Sequence, residues 1–142
     1  MGAEFSSKLS TDVLDVFFNG SAATTFDADA NGNPGLFIAL TSSQSAVDGT
    51  VSAEISGSGY ARVAVTFGAA TESTGTGAAS VTNSAAVELT GFSGTINSVD
   101  GFAVMSASTG GTALCYGSIS SINIDSGDTV TFAQDAITIS LD

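Results

Sequence analysis

The clearest alternation of apolar and polar residues in this chain lies at residues 59–68. Val63, Val65 and Phe67 occupy every second position there, and a glycine stands at each end. Period two over about eight residues is typical of a strand with one buried face and one wetter face. The pattern therefore predicts a strand whose Val63, Val65 and Phe67 side chains build the core.

Several other apolar runs also predict strands. Residues 36–40 are almost wholly apolar, which is typical of a short strand in the middle of a core. From residue 85 onward, turn signals recur about every 8–12 residues, the spacing expected of a β-sandwich or a jelly-roll-like barrel. The strands predicted in this half cover residues 85–90, 95–100, 101–108, 113–118, 119–124, 129–132 and 136–141.

The N-terminal segment has a helical period instead. Residues 3–18 carry Phe5, Leu9, Val13 and Phe17 on one face of a helix, and the following Asn-Gly pair favours a helix end. We predict an α-helix within residues 1–20 that packs on, or is swapped from, a β-sandwich domain at residues 21–142. The fold class is thus mainly β, as a single domain with one N-terminal helix.

Two stretches rich in small residues separate the first predicted strands. We predict that residues 41–58 form a long loop and that residues 69–78 form an exposed linker. The chain as a whole is 43% hydrophobic, with 17 glycines and one proline. Scarce proline suits strand ladders, because each ladder needs its backbone N–H groups. The many glycines suit tight turns between short strands.

Charge narrows the range of partners. The chain has 14 acidic residues against only Lys8 and Arg62, which gives a formal net charge of −12. Two cations cannot form a basic patch, so we expect no nucleic-acid partner and no association with anionic membranes. A partner with a basic or neutral docking surface would suit this charge.

Residue types also limit the chemistry. The chain has no histidine, which removes the commonest general base, Ser-His-Asp triads and histidine-based zinc sites. We expect no enzymatic activity, with a carboxylate-based hydrolase kept as an alternative. The lone Cys115 lies in an apolar run and is predicted to be a small buried residue. The N-terminus has no signal-peptide pattern, and no run is long enough to cross a membrane.

One acidic turn is a candidate metal site. Asp27, Asp29 and Asn31 precede Gly32 in the D-x-D-x-N-G pattern that begins an EF-hand calcium loop. The position that should supply a bidentate glutamate is Ile38, however, and a predicted strand replaces the helix that should follow. We favour an Asx-rich turn over a calcium site, and we expect no other cofactor.

We predict that Arg62 and Tyr60 lie on the outward face of the strand at residues 59–68. We predict that Arg62 pairs across strands with Glu88, and the alternative is that it anchors a carboxylate on a partner protein. The residues that we predict to contact a neighbouring subunit are Phe5, Leu9, Val13, Phe17, Tyr60 and Arg62.

Segments spread along most of the chain carry a resemblance to a known family. They are Phe17-Phe18-Asn19-Gly20, residues 36–40, 59–67, 83–87 and 108–111, and the C-terminal residues 124–132 and 137–142. On these segments the chain resembles short virion structural proteins of tailed bacteriophages, some of them labelled tail fibre proteins and some similar to capsid decoration proteins. Residues 21–34 and 91–102 depart from the family pattern.

The resemblance implies a non-enzymatic virion protein, assembled in the host bacterial cytoplasm and displayed on the particle exterior. We predict a capsid decoration (cement) protein that forms a homotrimer and clamps the phage major capsid protein or another virion protein. One alternative is a tail fibre or tail adaptor protein. Another is a glycan-binding module, against which the absence of tryptophan argues.

Overall fold

A computed structural model describes residues 2–5, 35–43, 49–51, 53–72 and 79–141, giving the backbone alone for the first of these ranges. These residues contain strands and no helix, so no described helix is available to cross a membrane. The strands are β1 (Gly2–Phe5), β2 (Leu36–Thr41), β3 (Val63–Val65), β4 (Thr71–Glu72), β5 (Ala79–Thr82), β6 (Val87–Leu89), β7 (Ile96–Met105), β8 (Ala113–Ile124), β9 (Val130–Phe132) and β10 (Thr138–Leu141).

The strands form two sheets. Eight of them make one sheet in the order β3-β2-β7-β8-β1-β10-β5-β4, and β6 pairs with β9 in the other. β1 joins the two halves of the large sheet, since Gly2 and Ala3 pair in parallel with β10 while Glu4 and Phe5 pair antiparallel with β8. Phe5 lies opposite Cys115 in that ladder. The fold is therefore mainly β, as the sequence predicts.

β2 lies in the middle of the packing because both of its faces are covered. Ile38 and Leu40 belong to the main core, whereas Ala39 belongs to a smaller cluster on the other face. The neighbouring β7 divides in the same way, with Phe102 in the main core and Ala103 in the smaller cluster. A strand buried on both faces needs no polar alternation, which explains the apolar run at residues 36–40.

The two sheets share the main core. Val87 and Leu89 of β6 and Phe132 of β9 are buried in it together with residues of the large sheet. The Phe102 and Phe132 rings meet edge to face, with centroids 5.3 Å apart and an interplanar angle of 63°. This contact couples β7 in the centre of the large sheet to the small sheet.

The strands at residues 36–40, 85–90, 129–132 and 136–141 are confirmed, but two pairs of predicted strands are in fact single strands. Residues 96–105 form the continuous β7, and residues 113–124 form the continuous β8. The register of the β7–β8 ladder shifts at three places. Because each shift interrupts the alternation of inward and outward positions, the sequence pattern resembles a strand end there.

The predicted linker at residues 69–78 is wrong in part. Thr71 pairs with Ser80, so that β4 and β5 are adjacent antiparallel strands. Residues 73–78, between the two strands, lie outside the described residues. The serine- and threonine-rich composition that suggested a linker thus also supports a short edge strand.

The predicted N-terminal helix is wrong at its start. Residues 3–5 lie in β1, because their backbone groups enter the ladders of β8 and β10 and those pairings outweigh the local helical period. Residues 6–34 lie outside the described residues, and with them the rest of the predicted helix and the predicted domain boundary at residue 20.

Asn83 fixes the end of β5 to the connection between β9 and β10. Its side chain is fully buried, and its Nδ2 donates to the carbonyl oxygens of Ala85 (2.8 Å) and Ala133 (2.7 Å). Its Oδ1 accepts a hydrogen bond from the backbone N–H of Ile137 at 2.8 Å. Since every polar atom of this buried amide has a partner, Asn83 holds the end of β5 against the connection between β9 and β10. We call Asn83, with the backbone groups of Ala85, Ala133 and Ile137, the Asn83 corner.

We expect Asn83→Asp to destabilise the fold by more than about 3 kcal/mol. The change removes the donor from two carbonyl oxygens and places a carboxylate oxygen against them, and each buried group left unpaired costs about 1–3 kcal/mol. Urea unfolding followed by circular dichroism measures the loss. The matched control is Asn97→Asp, the same change at an exposed position of β7, which should alter the free energy of unfolding by less than about 0.5 kcal/mol. Equal losses in the two variants would contradict the role of Asn83.

Cys115 should be unreactive while the chain is folded. Its side chain is buried, as predicted, and burial raises the pKa of its thiol to about 12. The thiolate is the reactive form, so a thiol reagent at about pH 8 should modify the native protein far more slowly than the urea-unfolded protein. Rapid modification of the native chain by a chromogenic disulfide reagent would contradict this placement.

Candidate functional site

Two short segments lie in line along one edge of β2. β3 pairs with the first half of β2, where Ile38 lies opposite Val63. Farther along, the backbone N–H of Ser42 donates to the Ala53 oxygen at 2.9 Å, and that of Ile55 donates to the Leu40 oxygen at 3.0 Å. The predicted loop at residues 41–58 therefore returns to the sheet and covers the edge that β3 leaves open.

Tyr60 fills the gap between these two segments. Its hydroxyl accepts a hydrogen bond from the Leu40 backbone N–H at 3.0 Å and donates to Glu54 Oε1 at 2.8 Å. A phenol thus supplies the partner that a neighbouring strand would otherwise give to a ladder N–H group. The ring of Tyr60 also packs against the main core, which fixes the position of its hydroxyl.

Arg62 and Glu54 form a bidentate ion pair beside that hydroxyl. Arg62 Nε donates to Glu54 Oε1 at 2.7 Å, and Nη2 donates to Oε2 at 2.6 Å. The side chains are only 7% and 20% exposed, respectively, so water screens the pair weakly. Two parallel charge-assisted bonds hold the two planes in a fixed orientation.

The remaining arm of Arg62 reaches a third part of the chain. Nη1 donates to the carbonyl oxygens of Ala107 (2.8 Å) and Gly110 (2.7 Å) in the turn between β7 and β8. One guanidinium therefore joins the 53–55 segment, the approach to β3 and the β7–β8 turn. We call Glu54, Tyr60 and Arg62, with the two carbonyl groups, the arginine hub.

A tight turn brings Tyr60 and Arg62 to the hub. The Tyr60 backbone N–H donates to the Gly57 oxygen at 2.9 Å, and Gly59 has a φ of +76°. A Cβ atom on Gly59 would lie 2.1 Å from the Gly91 oxygen, so one of the two backbone segments would have to shift. Only glycine fits this position, both for its φ angle and for the approach of the neighbouring loop.

The hub determines the ionisation of its own members. Burial raises the pKa of the Glu54 carboxyl, but hydrogen bonds from Arg62 and Tyr60 and the charge of Arg62 outweigh burial, so that the pKa lies below its ordinary value. The hydrogen bond to Glu54 raises the pKa of Arg62, and burial raises that of Tyr60. Glu54 and Arg62 are thus charged, and Tyr60 neutral, at neutral pH.

A cavity of about 530 Å³ opens beside the hub. Glu54, Tyr60 and Arg62 line it together with small polar residues such as Ser108 and Thr109. Four of the five N–H donors of Arg62 and both oxygens of Glu54 are already bonded within the protein. This arrangement therefore fixes three chain segments to one another.

The predicted pair of Arg62 with Glu88 is wrong, because the partner of Arg62 is Glu54. Glu88 is exposed on β6, where it lies opposite Thr131. The expectation that Tyr60 and Arg62 face outward also fails, since the 53–55 segment and the 107–110 turn cover them. Val63, Val65 and Phe67 do pack in or against the core as predicted. The predicted strand at residues 59–68 is too long, however, because a turn occupies its start and only Val63–Val65 form β3, an edge strand of the large sheet.

The sequence does not predict Glu54 as the partner of Arg62, because Glu54 lies in a stretch without strand-like alternation. The available signal was local: an acidic residue precedes Gly57 and Gly59, and the only nearby cation follows them at position 62. Such an acid-turn-arginine order allows both side chains to meet across the turn.

Of the other predicted site residues, only Phe5 lies among the residues that the structure describes. Phe5 is placed by its backbone in β1, whereas Leu9, Val13 and Phe17 lie outside the described residues. The calcium candidates Asp27, Asp29 and Asn31 lie outside them as well. Within the part of the chain that the structure describes, no three acidic or cysteine side chains gather as metal ligands would.

We expect Glu54→Gln to destabilise the fold by about 1.5–3 kcal/mol at neutral pH, the range for hydrogen bonds to charged groups. The amide keeps the size of the side chain but loses the charge that Arg62 is paired with. Glu88→Gln, the same change at an exposed residue, is the matched control and should change the free energy of unfolding by less than about 0.5 kcal/mol. Urea unfolding of the three proteins measures both effects.

The pH dependence of the same variants tests the charge of Glu54. The folded-state pKa of Glu54 is depressed, so its stabilisation is fully present above the unfolded-state value of 4.5 and is lost as pH falls through the folded-state pKa. The difference in unfolding free energy between the parent chain and Glu54→Gln should therefore shrink below pH 4.5. A difference that stays constant through this range would mean that the charge contributes nothing.

Comparison with protein-family models assigns the chain to a family. The model described as podophage GP4 fiber I protein gp80 matches residues 4–140, which is nearly the whole chain. No curated protein sequence matches the chain. The family match confirms the resemblance to tailed-phage virion proteins and covers both the arginine hub and the Asn83 corner. The chain belongs to the podophage GP4 fiber I protein gp80 family, a family of tailed-phage virion structural proteins.

Proposed function

We propose that the chain is a building unit of a podophage tail fibre. The observation that carries this proposal is the match of residues 4–140 to a family described as a fiber protein. The capsid decoration role that the sequence favoured has no such support, so the tail fibre alternative replaces it. Family membership places the chain in the virion, and the proposal assigns its position there.

The internal construction of the chain suits a mechanical role. The arginine hub and the Asn83 corner join loops and turns to the sheets through hydrogen bonds between distant parts of the chain. Parts joined in this way cannot move separately without leaving buried polar groups unpaired. In a fibre, such cross-links keep the surface loops in place while the unit is pulled or sheared. The role itself requires no catalytic group.

The charge supports a position on the outside of the particle. The chain carries a net charge of −12, and Arg62, one of its two cations, is nine-tenths buried. An acidic surface repels packaged DNA and the phosphates of membranes, and it attracts a virion protein with a basic docking surface. Attachment to such a partner should weaken as salt rises, because exposed charges are screened over about 10 Å at 0.1 M salt.

Copy number in purified particles tests the proposed position. Quantitative mass spectrometry should find this chain at a small number of copies for each virion, far below the copy number of the major capsid protein. Gold-labelled antibody should mark the tail and leave the capsid faces unlabelled. Hundreds of copies spread over the capsid would restore the decoration role and contradict the tail fibre proposal.

A further inference from the structure

The cavity beside the arginine hub has the size and the fixed walls of a binding site. Its lining comes from residues 54–57, 60–62 and 108–110, which belong to three separate parts of the chain. Its volume of about 530 Å³ lies within the range of about 300–1,000 Å³ that is typical of small-molecule sites. Because Arg62 bonds to Glu54 on one wall and to the Gly110 carbonyl oxygen on another, the walls are held together before any ligand enters.

The ion pair in this lining leaves one donor and one acceptor position open. The hydrogen bonds of Arg62 use Nε–H, both N–H groups of Nη1 and one N–H of Nη2, so the second N–H of Nη2 remains. A carboxylate oxygen accepts about two hydrogen bonds, and among the described residues Glu54 Oε2 accepts only that of Arg62. Since the guanidinium is planar, its remaining N–H points away from Oε2. The two open positions are thus on neighbouring atoms and face different directions.

The exposed part of the lining adds hydroxyl groups. Ser56, Ser108 and Thr109 line the cavity, and their side chains make no hydrogen bond within the part of the chain that the structure describes. Each hydroxyl group can both donate and accept. A ligand can therefore bond to these groups without breaking a bond that holds the fold together.

Charge decides which class of ligand fits. Arg62 and Glu54 neutralise each other, and the net charge of −12 repels an anion. A metal ion would need several acidic or cysteine ligands, and no such group of three occurs in the described ranges. The cavity instead offers uncharged hydroxyl groups beside one donor and one acceptor. An uncharged molecule with several neighbouring hydroxyl groups matches this arrangement.

We propose that the cavity binds a neutral saccharide through the ion pair of Arg62 and Glu54. One sugar hydroxyl accepts the hydrogen bond of Arg62 Nη2, and the adjacent hydroxyl donates to Glu54 Oε2. Further hydroxyls bond to Ser56, Ser108 and Thr109. The two bonds to the ion pair are charge-assisted and hence about twice as strong as bonds between neutral groups. The bidentate pair fixes both positions in advance, which reduces the entropy lost on binding.

This mode of recognition relies on hydrogen bonds and not on stacking. The chain has no tryptophan, and the ring of Tyr60, which lines the cavity, packs against the main core. A few hydrogen bonds without an aromatic platform support a dissociation constant on the order of 1 mM. The inference goes beyond the proposed function, since it rests on the geometry of the hub and holds wherever the chain lies in the virion.

Nuclear magnetic resonance of the isotope-labelled full chain tests the binding. Glucose, galactose, mannose, rhamnose and N-acetylglucosamine are each titrated to about 100 mM, far above the expected dissociation constant, and glucuronate is the anionic counterpart. At least one neutral sugar should cause saturable shifts of the amide signals of residues 54–62 and 107–110, with no matching shifts in β10. Glucuronate should bind at least about tenfold more weakly than that sugar.

A triple variant tests whether the cavity is the site. The changes Ser56→Ala, Ser108→Ala and Thr109→Val remove the three hydroxyl groups and leave the arginine hub in place. The matched control carries the same kinds of change at exposed positions outside the cavity, namely Ser120→Ala, Ser121→Ala and Thr131→Val. We expect binding at least about tenfold weaker in the first variant and unchanged in the control. Circular dichroism and melting temperature should agree among all three proteins.

Deoxy sugars test the role of the ion pair without altering the protein. Analogues of the sugar that binds, each lacking one hydroxyl, should reveal two neighbouring hydroxyls whose removal weakens binding about tenfold or more, the range for hydrogen bonds to charged groups.

Four results would overturn the proposal. No saturable shift with any of the five neutral sugars would mean that the cavity holds water alone. Shifts confined to other residues, or a triple variant that keeps the parent affinity, would place binding on another surface. Glucuronate that binds as tightly as the best neutral sugar would contradict the argument from charge. Deoxy analogues that all bind equally well would contradict recognition by the ion pair.

Discussion

The ion pair between Arg62 and Glu54 holds the most irregular part of this fold together. A strongly acidic chain can form few such pairs. The chain has two cations for 14 acidic residues, and it places one of them where the guanidinium bonds Glu54 and two carbonyl groups at once. The 107–110 turn consists of small residues that bury little apolar surface. Its position therefore depends on polar contacts, and Arg62 supplies two of them. Lysine could not replace it, because an ammonium group lacks the planar fork that serves both partners.

Much of the strand content could be predicted from the sequence, because it follows from local alternation. Residues 36–40 have the apolar run of a strand covered on both faces, and β6 has Val87 and Leu89 inward with Glu88 outward. Local alternation wrongly predicts two strands in place of β7 and two in place of β8, because a bulge changes the alternation without ending the strand. Alternation reports which face a residue is on, and it carries no information on which strands are neighbours.

The arginine hub and the Asn83 corner could be predicted only in part for that reason. The sequence marks Arg62 as unusual through its scarcity, but the choice between Glu54 and Glu88 depends on how the 53–62 segment returns to β2. Asn83 has no local signal at all, since its partners Ala133 and Ile137 are about 50 positions away and are bonded through their backbones. Backbone partners leave no trace in the identity of the residues that supply them.

The position of β1 has a consequence for how the chain reaches its final form during synthesis. Gly2 and Thr138 are neighbours in the sheet although they are 136 positions apart. The ribosome synthesises β1 before β10, so β1 must wait for the strands between them before both of its ladders can form. Contacts of such long range slow folding, because the loop between them must be closed before they stabilise anything. A chain whose synthesis has not yet reached β10 consequently lacks the parallel ladder of β1 and the link that this ladder makes between the two halves of the large sheet.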